Sequence, residues 1–317
     1  MNLNQIHSIT KKICVALLGG FLLIFILFHA CANLCILRND DGAWYSAFCH
    51  FMGTNYIVKV VEIVLLLTIF LHICLTIWLA ITNFRARGSV RYKHASKTKT
   101  HTGSKLMIWT GGLLIALLLV HFCDFYFVKL GWVEGQYMIK TEQITNRDFQ
   151  EIKQVAEQNG ITGTELIEKN EQQLDMYAAQ MSAEQIAMIK QSLDDARVWA
   201  TMVDGISQDG KWVKGISAEQ KNALIDAAEA NGEEIDVEPD FYAMARDKFK
   251  NIWVCLAYLF CFCVVWFHLR HAVPSVFQTL GWNNYTYNKA IDIFGICFAT
   301  LVALMFAAVP IVVFFCL

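Results

Sequence analysis

Polar sequence is scarce in this chain. Only 17% of its 317 residues are charged against 56% hydrophobic, the mean hydropathy is +0.40, and the one long segment polar enough to live in water is 133–250. That excludes an ordinary soluble protein and leaves a polytopic membrane protein. Cysteine is missing from the polar segment: of eleven, ten lie in apolar stretches and Cys49 in a loop, so no disulfide framework supports it. No Cys-x-x-Cys pair and no Cys/His metal spacing occurs, which leaves the membrane cysteines as small hydrophobes. A cleavable leader is not expected either. Ala30-Cys31-Ala32 imitates a cleavage site, but the apolar run before it exceeds the roughly 7–15 residues of a signal core.

What is present comes in apolar blocks. About 20 apolar residues span a bilayer, and by that rule five helices are expected at about 13–37, 56–82, 106–130, 252–273 and 290–317. The expected fold is an all-α polytopic bundle: helices one to three in 1–132, an acidic insert in 133–250, and helices four and five in 251–317. Basic residues gather after helix two (Arg85, Arg87, Arg91, Lys93, Lys97, Lys99, Lys105), before helix one (Lys11, Lys12), and around the fourth loop (Arg270, Lys289). The positive-inside rule puts these in the cytoplasm, so the N-terminus is expected inside, with loop 38–55 and the insert outside.

The insert reads as a set of short helices. Ser182-Ala183-Glu184-Gln185 and Ser217-Ala218-Glu219-Gln220 are capping boxes, and Asn159-Gly160 and Asn231-Gly232 are helix stops. Leu193, Val198, Trp199, Ile206, Trp212 and Ile216 are its candidate core. It holds no catalytic constellation and reads as a helical cap or docking surface.

Four of the five apolar helices carry a histidine, which is expensive in a bilayer unless used. Depth follows from 1.5 Å of rise per residue. From Ile13 to His29 is sixteen steps, roughly 24 Å, and from Leu106 to His121 fifteen, roughly 22 Å, which sets both toward the outer side. Helices two and four run the other way. His72 lies nine steps before Ile81, roughly 14 Å from the inner boundary, and His268 five before Val273, roughly 8 Å. Antiparallel helices thus offer two histidines at each of two levels: His29 with His121 outside, His72 with His268 inside. Neutral imidazole pairs in apolar surroundings suit low-spin haem iron in electron transfer.

Other uses of such histidines are hydrogen bonds between helices or a divalent-metal path in a transporter or sensor. The latter favours carboxylates at the same depth, and mid-membrane there are none. Gly19-Gly20 and Gly111-Gly112 fall at the level of the inner histidines, where missing side chains would admit a porphyrin or simply allow close helix packing. Arg85, Arg87, Lys105, Arg270 and His271 at the inner boundary, and Arg38, Lys59 and Lys129 at the outer, are candidates to pair with propionates.

Phe28-His29-Ala30-Cys31-Ala32-Asn33-Leu34, Glu62, Leu71-His72-Ile73, Met107-Ile108-Trp109-Thr110-Gly111, Val120-His121-Phe122-Cys123-Asp124-Phe125, and His268-Leu269-x-His271 followed by Ser275-x-Phe277-Gln278-Thr279-Leu280-Gly281 can be taken together. In these the chain resembles the five-helix, di-haem cytochrome b membrane anchor of succinate dehydrogenases and fumarate reductases. The resemblance covers all five helices. It does not cover the insert, for which this family usually has a shorter connection, and Ala272 stands where the family usually has glycine. It implies two haems b and quinone chemistry, with menaquinone as the quinone. It also implies an FAD-containing flavoprotein and an iron-sulfur subunit on the cytoplasmic face of a bacterial inner membrane, and the quinone-reactive role within that enzyme. Complexes could pair as dimers; no nucleic-acid partner is expected. His268 matches the family's ligand position. For quinone-side proton transfer, Glu62, nineteen steps from Ile81 and roughly 28 Å out, and Asp124, three residues past His121, are the candidates. Glu62 pairing with Lys59 is the bland alternative. Related anchors of other quinone-linked enzymes, such as hydrogenases or formate dehydrogenases, share this arrangement.

Overall fold

The computed structural model describes residues 3–87 and 102–316, with side chains for 9–86 and 106–316. Arg91, Lys93, Lys97 and Lys99 of the basic loop lie outside the described residues, as do the side chains of Arg87 and Lys105. In chain order the elements are α1 (Leu3–Leu34), α2 (Ala43–Thr54), α3 (Tyr56–Arg87), α4 (Thr102–His121) and, after a π-helical turn at Phe122–Tyr126, the short α5 (Phe127–Lys129). Then come β1 (Tyr137–Lys140), α6 (Arg147–Asn159), α7 (Gly163–Tyr177), α8 (Ala183–Asp204), β2 (Trp212–Ile216), α9 (Ala218–Ala230), β3 (Glu238–Pro239), α10 (Phe241–Phe249), α11 (Ile252–Thr279) and α12 (Asn288–Cys316).

Five apolar stretches are long enough to cross a bilayer: Ile9–Leu37, Tyr56–Ala86, Leu106–Lys129, Ile252–Thr279 and Asn288–Cys316. The chain is a multi-pass α-helical membrane protein. It divides into two compact units, one of 1–38, 48–121 and 248–317, the other of 39–47 and 122–247.

In the first unit the closely packed helix pairs are α11 with α12, α4 and α1, and α1 with α3 and α12. The centre is a cluster of Ala30, Leu269, Ala299, Val302 and Phe306, so α12, which carries no histidine, holds α1 and α11 together. Small residues let the backbones approach, as is usual where lipid offers no hydrophobic drive between helices. Trp266 Nε1 donates to Thr300 Oγ1 at 3.0 Å, a polar tie between α11 and α12. Outward faces stay apolar: Ile63, Phe70, Ile108 and Trp109 are each more than 60% exposed, as lipid-facing residues should be.

α11 ends at Thr279, six residues past the expected stop at Val273. Proline inside a helix removes a donor and crowds the carbonyl four residues back. Here Pro274 leaves Arg270 O to face Gly295 of α12, where an added Cβ would sit 3.0 Å from the Pro274 ring and 3.3 Å from that carbonyl. Packing against α12 carries the helix through a residue that sequence rules read as a terminator. His268 is then eleven steps, roughly 16 Å, from the helix end, deeper than the count to Val273 gives.

The second unit is built on a three-stranded antiparallel sheet in the order β2-β1-β3, with β1 paired to both neighbours. The expectation of helices alone misses this sheet, because strands of four, five and two residues are too short to show an alternating pattern. Its core holds Tyr137, Ile139, Phe149, Met202, Val213 and Ile216, with Phe125 and Val128 from the end of the third apolar stretch. Trp199, Ile206, Trp212 and Ile216 are core or packed on it, and Leu193 borders a second cluster at Ile152, Ile167 and Ala200. Val198 is 36% exposed and is not core. Both capping boxes form, and Gly160 closes α6 in the left-handed region at φ 63. Segment 39–47 belongs to this unit: Lys214 Nζ donates to Asp41 O, Arg246 pairs with Asp41 at 3.6 Å, and Gly42 meets the Tyr242 ring.

Candidate functional site

The site is made of four half-buried histidines of the first unit. His29, on α1, and His121, the last residue of α4, face each other with ring centroids 5.9 Å apart and planes at 77°. Metal–imidazole bonds of about 2 Å on opposite sides of one ion set the centroids about 6 Å apart. Phe25 stacks on His29 at 5.4 Å and 16°, and Phe306 of α12 tilts against it at 5.7 Å. Asn33, one turn on, donates to His29 O at 2.8 Å and lies 3.4 Å from Nδ1.

The second pair joins α3 and α11, and the His268 ring lies close enough to His72 and His271 to interact electrostatically. An added Cβ on Gly19 would lie 3.4 Å from His72 Cε1, and one on Gly111 3.8 Å from His268 Cε1. The two glycines therefore stand against the rings of His72 and His268. Gly20 faces Val276 instead, and nothing lies within 4 Å of a Cβ on Gly112. His72 Nδ1 is buried without a partner of its own, while the ring is hydrogen-bonded to the backbone of Val15. Thr110 Oγ1 lies 3.3 Å from His268 Nδ1.

The helices that carry each pair, α1 with α4 and α3 with α11, are not among the closely packed pairs of the described residues. The donor set is soft, neutral and apolar-walled, which suits haem iron. Among the described residues no group of three or more His, Cys, Asp or Glu is placed to hold a metal ion by itself.

Glu62 is half-buried on α3, seven residues into the second span. Asp124 lies in the π-helical turn and belongs to the second unit; π-turns inside helices recur at functional sites. Arg270 extends its guanidinium over the Trp266 ring at 5.3 Å, Lys11 stands over Trp78 at 4.7 Å, and Lys129 over Tyr126 at 5.9 Å. All eleven cysteines are free. The sequence gives no hint of Phe306, which looks like a lipid-facing residue until α12 is placed. Thr110 stands in the motif that opens helix three, but the sequence assigns it no partner.

The fold and site together define a multi-pass helical membrane protein with a facing histidine pair, His29 and His121, on two of its apolar helices. No family model, no curated protein and no solved structure matches the chain.

Proposed function

We propose that this chain is the di-haem cytochrome b anchor of a succinate:quinone oxidoreductase, passing electrons between an iron-sulfur subunit and a membrane quinone. The observation that carries the reading is the facing of His29 on α1 with His121 on α4, ring centroids 5.9 Å apart. His29 and His121 would hold one haem, His72 and His268 the other. Haem b, when bound, supplies reversible one-electron chemistry at its iron. The chain's own part is to orient the imidazoles, to wall them in apolar side chains such as Phe25 and Phe306, and to keep water away. At the outer level Glu62 would exchange the protons that accompany quinone turnover, with Asp124 as a second carboxylate. The assignment to succinate and fumarate chemistry, to menaquinone, and to a flavoprotein and iron-sulfur partner on the cytoplasmic face rests on the sequence resemblance. The orientation with the insert outside rests on the distribution of Lys and Arg.

The test is the reduced-minus-oxidised spectrum and pyridine haemochrome stoichiometry of the purified protein beside His29→Ala and His268→Ala. Two haems b per chain are expected, each substitution depleting a different one. A folded, haem-free wild type overturns the reading. Soluble subunits that copurify separate a succinate-linked anchor from that of another quinone-linked enzyme.

A further inference from the structure

We propose that Thr110 is a positioning residue for the inner haem, fixing His268 through its Nδ1 and setting the redox potential of that haem alone; the inference rests on the di-haem reading above. The Thr110 hydroxyl belongs to α4, and its contact with His268 Nδ1 at 3.3 Å spans 158 positions of sequence. The same oxygen lies 3.2 Å from Leu106 O and 3.3 Å from Met107 O, the carbonyls of the preceding turn.

A threonine hydroxyl has one proton to give and two lone pairs. With that proton on an α4 carbonyl, the oxygen can only accept from the ring. Nδ1 of His268 then carries the hydrogen, and its Nε2 lone pair is left for a metal. This tautomer uses every group in the cluster. It also holds the ring from a helix that packs closely against α11, so the imidazole is oriented before anything binds it.

Hydrogen bonding at the remote nitrogen raises the basicity of the ligating one. A more basic axial ligand favours the higher oxidation state and lowers the potential, one of the levers by which proteins tune haem. The hydroxyl is particular to His268: the ring of His72, the other inner histidine, is hydrogen-bonded to the backbone of Val15, and Asn33 offers His29 a donor rather than an acceptor.

Potentiometric titration of the purified protein, read optically at the haem bands, tests this with Thr110→Val and Thr110→Ser. Valine keeps the shape and removes the hydroxyl. It should raise the midpoint of the haem that His268→Ala depletes and leave the other in place, while serine keeps both at wild-type values. Loss of that haem from the valine variant with retention in the serine variant supports the same assignment. Unmoved potentials in Thr110→Val, a shift in the haem that His29→Ala depletes, or loss of the inner haem from both variants overturns it. Two haems with unmoved potentials defeat this inference alone, whereas a folded wild type without haem defeats the di-haem reading as well.

Discussion

An imidazole that crosses into a bilayer gives up water on both ring nitrogens, and its fate depends on what replaces them. At His29 the replacements are aromatic walls and a facing histidine; at His268 they are a hydroxyl and the neighbouring rings of His72 and His271. Glu62 presents the same question with a carboxylate, half-buried on α3 within the second span. If it carries the proton of quinone turnover, Glu62→Gln keeps the shape and removes the exchangeable proton. We expect that variant to lose quinol oxidation by one to two orders of magnitude, with both haem spectra unchanged, as read from turnover and optical spectra of one preparation. Near-normal turnover would exclude the role. The four histidines were legible in the sequence because counting helical rise needs no tertiary information. Thr110 was not, because a hydroxyl's partner on another helix is set by packing.

At the level of elements, α11 shows packing overriding a local rule: it runs through Pro274 without ending. Proline predicts an end at Val273, and a glycine 21 positions on, in α12, lets the helix continue to Thr279. Gly295→Val should therefore be destabilising, since its added atoms meet the Pro274 ring and Arg270 O; overpacking of this kind costs about 1–3 kcal/mol. Thermal unfolding in detergent should show the loss. Glycine-neutral stability would mean that α12 shifts freely.

In the second unit, Asp240 is fully buried at the start of α10 and accepts from Ala243 N at 2.9 Å and Gly215 N at 3.3 Å. Burial lifts its carboxyl above the usual range, against the pull of those amides and of Lys214 toward the anion. A carboxyl raised in this way binds its proton more tightly folded than unfolded. Its stabilising effect is complete below the ordinary aspartate range and is lost as pH rises through the folded value. Melting of the insert within the full chain, followed by circular dichroism, should weaken over that interval, and Asp240→Asn should flatten the slope. The sheet beneath it escaped the sequence for a plain reason: β1 and β2 are short, Gly215 interrupts β2, and β3 is two residues before a helix.

For the whole molecule, the five spans follow from apolar run length alone. What run length misses is how distant segments join. The third apolar stretch reads as continuous to about 130 and is helical to Lys129, but run length does not show that its last turns, with Phe125 and Val128, pack in the insert's core. Residues 39–47 read as a bare loop, yet Asp41 is held by Lys214, 173 positions later. That last contact bears on how the chain must be made. A single compact unit cannot draw its parts from opposite faces of a bilayer, so 39–47 and 122–247 emerge on one side, which requires an even number of crossings between them; α3 and α4 supply two. It also orders events in time. The first exposed connection leaves the ribosome with its lysine partner still unsynthesised, and it must wait through two further membrane insertions and most of the insert before it can be closed.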